Sequence, residues 1–157
     1  MASAAPTPLP SYGGGRVVSG SSTWQGSFRE GSGTIATAGD TLSDVDYTYA
    51  SRFEGAPGAC PEELLAAAHA ACFNQAVANI AQLRGLDVHA VTTTASVTMG
   101  RDDTGPAILG VHLDTHGVVS PATAASFQDL AERARVGCAF SKALAVEITL
   151  SVTHEAA

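Results

Sequence analysis

The sequence predicts an α+β fold, with antiparallel sheets wrapped around central helices, and three observations carry that prediction. A long, alanine-rich and nearly uncharged helical stretch runs from Pro61 to Leu83. Short runs with the two-residue alternation of strands stand before and after it. A second helical pattern, ended at Gly137, is followed by one more strand-like run. The order is β-β-β-α-β-β-α-β over 157 residues, enough for one domain and one core.

The elements follow in chain order. Residues 1–22 are rich in Ala, Pro, Gly and Ser and include Gly13-Gly14-Gly15, so they are expected to form a disordered or extended tail ahead of a single domain over 23–157. Two short strands are expected at Thr23 to Phe28 and Gly33 to Thr37, joined by a turn at Arg29-Glu30-Gly31-Ser32. A third, Val45 to Phe53, alternates its faces and brings Arg52 and Glu54 near its end. Pro61 suits the first position of a helix, Glu62 and Glu63 suit its positively polarised first turn, and Gly85 suits its stop. That helix spans roughly 36 Å at 1.5 Å per residue. Val88 to Met99 and Ile108 to His116 read as a hairpin around a polar turn. Ser120-Pro121 opens a second helix bearing Phe127, Leu130, Ala131 and Ala134 on one face, and Ala143 to Thr153 returns as a strand.

Composition narrows the function. A net charge of −7 without a Lys/Arg cluster argues against nucleic acid or an anionic membrane as the partner and favours a small neutral or apolar substrate. The most apolar stretch, Leu64 to Ile80, is interrupted by His69, Asn74, Gln75 and Asn79, so a core helix is expected rather than a membrane span. The first ten residues lack a basic segment and an apolar segment, so no signal peptide and a cytoplasmic location are expected.

Two cysteines focus the chemistry. Cys72 lies mid-helix and Cys138 follows Gly137 at the end of the second helix. In a chain without secretory features such a pair reads as redox or catalytic rather than as a staple. The thiolate is the reactive form, and a thiol of pKa about 8.5 is only ~3% ionised at pH 7, so a reactive site must lower that pKa by roughly 2 units, about 3 kcal/mol. Cys72 is too far into its helix for the N-terminus to help, since that effect fades within the first turn. A nearby guanidinium is the natural source, and Arg52 is one of only 8 basic residues.

The run Arg52-Phe-Glu-Gly, then Pro61-Glu-Glu-Leu, His69-Ala-Ala-Cys72-Phe and Gly137-Cys138-Ala-Phe-Ser141-Lys-Ala-Leu144 resembles the OsmC branch of the OsmC/Ohr family of organic hydroperoxide reductases, in order from about Thr23 to Thr153. The resemblance implies a thiol-dependent peroxidase built as an intertwined homodimer with active sites at the subunit interface. It implies that Cys72 is the peroxidatic cysteine and Cys138 the resolving one, and that Arg52 and Glu62 set the reactive thiolate. It also implies no bound cofactor and recycling by an external, lipoyl-type dithiol. The substrate would be a small apolar hydroperoxide, reduced to its alcohol through a Cys72 sulfenic acid and a Cys72–Cys138 disulfide.

Other readings stand beside these. A lone cysteine in an alanine-rich helix is commonly a small buried hydrophobe, and Arg52 and Glu62 also suit ordinary surface charges or a helix-dipole pairing. His69, one turn before Cys72, reads better as a core histidine bonded to backbone than as a Cys–His partner. Metal binding by Cys60, His69, Cys72 and Cys138 lacks a C-x-x-C pair and places two ligands along one stiff helix. Cys60 stands where the family would carry Asn or a similar cap, which weakens the helix start by about 0.5–1 kcal/mol. The competing class of function is a non-enzymatic redox sensor or small-ligand binding module using the same cysteine pair.

Overall fold

A computed structural model of the chain describes residues 15–157. Residues 1–14 of the expected tail lie outside the described residues. The chain divides into two compact units, one ending at Ala59 and the other spanning Cys60–Ala157. The fold class is α+β, as the sequence predicts.

The first unit is a three-stranded antiparallel sheet, β1 (Gly20–Gln25), β2 (Ser32–Thr37) and β3 (Val45–Thr48), in that order, followed by the one-turn helix α1 (Tyr49–Phe53). Strand β1 opens three residues before the expected Thr23. The third strand is shorter than expected: it stops at Thr48 and the chain coils. Thr48 Oγ1 accepts from the Ser51 N–H at 3.0 Å while Ser51 Oγ accepts from the Thr48 N–H at 2.9 Å. This reciprocal capping box starts a helix where apolar alternation suggested that the strand continued. Arg52 therefore sits on a helix. Aromatic side chains gather on this unit, with Tyr49 and Phe53 rings 4.9 Å apart and Phe28 packed edge-on to Tyr49 at 5.2 Å.

The second unit begins with α2 (Pro61–Leu83), whose bounds match the sequence expectation; Gly85 takes the left-handed φ of 67° that ends it. Two long strands follow, β4 (Asp87–Asp102) and β5 (Gly105–Ser120), 16 residues each and several residues longer than the alternation indicated. Helix α3 (Ala124–Gly137) starts at Thr123 through a second capping box with Ser126. A short helix α4 (Ala139–Ala143), not expected from sequence, precedes β6 (Glu147–Glu155). The β4–β5 pair is antiparallel as expected, but β6 pairs with β5 in parallel. The α3–α4 segment carries the chain back along the sheet, so the last strand starts from the same end as β5, which a helical crossover allows and a tight turn does not.

Helices α2 and α3 pack on one face of this sheet and on each other. Positions 69, 73, 77 and 81 recur every fourth residue of α2, so His69, Phe73, Val77 and Ala81 form one fully buried ridge. From the sheet, Val111, Leu113 and Val119 meet it; from α3, Phe127, Leu130, Ala131 and Ala134. Burying each large side chain contributes about 1.5–3 kcal/mol. The Phe127 ring lies directly on the backbone of Gly117, in space that any side chain there would need. The buried Thr115 hydroxyl is satisfied by Thr93 at 2.7 Å, and Thr93 in turn donates to Asn74 of α2.

By length and a mean hydropathy of 1.2, α2 is long and apolar enough to cross a membrane, contrary to the expectation from its polar interruptions. Its contacts in this unit are those of a core helix: one face is packed on β4, α3 and α4.

Candidate active site

The site is built where α2 meets the break between α3 and α4. Cys138 is both the last cap of α3 and the first cap of α4, with an extended backbone of φ −60° and ψ 133°. Gly137 stays helical; the turn is made at Cys138. Its N–H still donates to the Ala134 carbonyl at 2.8 Å, and its carbonyl accepts from the Lys142 N–H at 3.0 Å. Held from both sides, its thiol is 1% exposed and aimed at α2. Cys72, half-buried on α2, receives it: the two sulfurs are 3.1 Å apart, with Cys138 donating. A disulfide requires about 2.05 Å, so these are two thiols in contact rather than a bond.

The two thiols are pushed in opposite directions. Burial raises the pKa of Cys72, but the Phe140 amide, the Cys138 thiol and the Ala139 amide outweigh it and bring the group below the ordinary thiol value. Burial raises Cys138 as well; the Ser141 and Phe140 amides pull it down, yet the neighbouring Cys72 adds to the upward push and the net direction is up. Of the two, Cys72 is therefore the thiol that ionises more readily and Cys138 the one that holds its proton more firmly. The amides of Ala139 and Phe140 are groups that the sequence did not single out, because a backbone donor has no residue signature.

His69 lies on the same face of α2, one turn before Cys72, and is 0% exposed. Its Nε2 is 2.9 Å from Ser141 Oγ, and its ring stacks on Phe140 at 6.1 Å and 25°. The expected backbone partner is therefore replaced by a side-chain hydroxyl, and among the described residues Nδ1 has no hydrogen-bond partner. Burial pushes the imidazole below its ordinary value and so favours its neutral form.

Glu62 is buried in the first turn of α2, 8% exposed, and its Oε2 accepts from the Cys60 thiol at 3.2 Å. Cys60 caps α2 without a side-chain bond to the helix amides, as its side chain predicts. Glu62 precedes Cys72 by ten residues, roughly 15 Å along the axis, so this helix does not itself bring the carboxylate to the sulfur. Arg52 belongs to the first unit, where its guanidinium lies over the Phe53 ring at 5.0 Å and borders a cleft of about 230 Å³ with Trp24, Phe28, Tyr47 and Tyr49. Among the described residues no group of three or more His, Cys, Asp or Glu is arranged to hold a metal ion.

Comparison with known proteins decides the family. Residues 53–153 match the family of OsmC-like proteins. The chain belongs to the OsmC-like family. Peroxiredoxin OsmC of Escherichia coli (strain K12) is 37% identical over 131 residues, which cover 83% of this chain and 92% of that relative. Among solved structures, the organic hydroperoxide resistance protein OhrB of Bacillus subtilis is 26% identical with a TM-score of 0.68, covering 86% of this chain and 98% of that one. An organic hydroperoxide resistance protein from Elizabethkingia anophelis, with crystallant-derived thiocyanate bound, is 25% identical with a TM-score of 0.68, covering 89% and 99%. The OsmC-like fold and the peroxiredoxin relative make this chain a peroxidase-type oxidoreductase.

Proposed function

We propose that this OsmC-like protein reduces organic hydroperoxides to alcohols with Cys72 as the peroxidatic and Cys138 as the resolving cysteine. The observation that carries the reading is the 3.1 Å thiol pair whose pKa values are driven apart. The Cys72 thiolate attacks the terminal peroxide oxygen; an S–O bond forms, the O–O bond breaks, and the departing alkoxide takes a proton to become the alcohol. Cys72 is left as a sulfenic acid. Cys138 then gives up its proton and attacks that sulfur, expelling the hydroxyl as water and closing a disulfide. An external dithiol restores both thiols and is itself oxidised to a disulfide. A lipoyl-type dithiol is the reductant proposed, with no prosthetic group.

Arg52 and Glu62 are proposed to set the reactive thiolate of Cys72, as the family resemblance implies. The spacing between Glu62 and Cys72 favours a homodimer whose active sites lie at the subunit interface, and α2 has the surface for it: Ala67, Ala71 and Ala78 leave small side chains on its exposed face. The proposed setting is the cytoplasm. The test is steady-state turnover of cumene, tert-butyl and fatty-acid hydroperoxides against hydrogen peroxide, with dihydrolipoamide and glutathione as rival reductants. Higher catalytic efficiency for the organic substrates, supported by dihydrolipoamide, is expected; equal efficiency for hydrogen peroxide contradicts the assigned substrate class.

A further inference from the structure

His69 is an expensive choice for its position. A fully buried nitrogen without a partner is destabilising relative to a satisfied one, and among the described residues Nδ1 finds none. A phenylalanine would fill similar space without it. What the imidazole adds is Nε2, placed 2.9 Å from Ser141 Oγ, together with a flat face stacked on Phe140. Both partners lie on α4, the five-residue helix that starts at Cys138. The same short segment supplies the Phe140 and Ala139 amides that act on the Cys72 sulfur.

We infer that His69 is a positioning residue: its hydrogen bond to Ser141 and its stack on Phe140 hold the start of α4, and with it the Cys138 thiol and the adjoining amides, against the sulfur of Cys72. In this role His69 acts through Ser141 and Phe140 rather than on the peroxide or the sulfur atoms. It ties the segment that bears the second thiol to the helix that bears the first. A five-residue helix has too few internal hydrogen bonds to hold such a register alone, so an anchor from α2 decides whether those amides stay in reach. The inference rests on Cys72 being the reactive thiol, and its test does not require peroxidase turnover.

The experiment compares His69→Phe, His69→Gln, Ser141→Ala and Ser141→Thr in the full chain, with Cys60→Ser as the common background. Alkylation of Cys72 by iodoacetamide is followed by mass spectrometry from pH 5 to 10, alongside thermal unfolding. His69→Phe and Ser141→Ala are expected to move the Cys72 profile to higher pH, and the rate at pH 7 should fall roughly tenfold each time the midpoint rises by one on the pH scale. The rate above pH 9.5 should be retained, as should cooperative unfolding. Ser141→Thr, which keeps the hydroxyl, and His69→Gln, which keeps a nitrogen at the reach of Nε2, should recover most of the loss. Should His69→Phe fail to fold, Ser141→Ala at its half-buried site carries the test. Profiles of His69→Phe and Ser141→Ala within about twofold of the parent at pH 7 overturn the inference, as does a loss at every pH that simply tracks stability. Absence of peroxide turnover in the parent, with the displaced profiles intact, would instead count against the proposed function.

Discussion

The Cys138 thiol donates to the Cys72 sulfur across 3.1 Å, and the direction of that bond sets the division of labour between the two residues. A donated hydrogen bond favours the charged acceptor and disfavours ionisation of the donor. The backbone amides beyond Cys138 add to the first effect, and the burial of Cys138 adds to the second.

Removing the donor should trap the first product. Cys138→Ser is expected to consume one equivalent of hydroperoxide and stop with Cys72 as a sulfenic acid, seen by intact-mass analysis as one added oxygen and captured by a sulfenic-acid reagent. A Cys138→Ser protein that cycles at the normal rate with dithiol would remove Cys138 from the resolving role.

The ionisation order is separately measurable. Between neutral pH and the ordinary thiol range Cys72 should be alkylated first, with a pH midpoint below that of a free thiol. Cys138 should react later, with a midpoint above it. Reversed midpoints would reverse the roles of the two thiols.

Acid should weaken the fold through His69. Its folded pKa is lowered, so the unfolded chain binds a proton here that the folded chain refuses. The stability concerned is present above about pH 6.5 and is lost as pH falls from there through the folded pKa. Urea midpoints should therefore drop between pH 6.5 and 5 in the wild type and drop less in His69→Phe. Parallel curves for the two proteins would show that His69 is not the group responsible.

The contact between Gly117 and Phe127 gives a test of the core. A methyl group at residue 117 enters the space of the Phe127 ring, so Gly117→Ala is expected to destabilise by about 1–3 kcal/mol. Phe127→Leu should recover part of that loss in the double variant, measurable as a coupling by thermal or urea unfolding. Additive losses would mean that the ring and the strand move apart freely.

The parts of this architecture that follow a period were legible in the sequence, and those made by single hydrogen bonds were not. The bounds of helix α2 are legible because Pro61, the acidic pair after it and Gly85 are local signals that act with the packing. The end of strand β3 is not legible, because Tyr47 and Tyr49 continue its alternation while the decisive Thr48–Ser51 box is a pair of side-chain bonds. The parallel placement of β6 depends on where α3 and α4 return the chain, which no residue in β6 encodes. At the site, the settings of Cys72 and Cys138 and the family resemblance single out two thiols whose sulfurs the fold brings to 3.1 Å. The Ala139 and Phe140 amides, the bond from His69 to Ser141 and the bond from Cys60 to Glu62 emerge only when α2 and α4 are folded.

The most direct test of the central claim is a count of hydroperoxide consumed per chain, with cumene hydroperoxide and excess dihydrolipoamide, for the wild type and Cys72→Ser. Many equivalents per chain for the wild type and none above background for Cys72→Ser are predicted. Consumption that stops near one equivalent in the wild type, despite active dithiol, would contradict the enzyme reading and leave a stoichiometric thiol sensor; turnover surviving in Cys72→Ser would contradict the site itself.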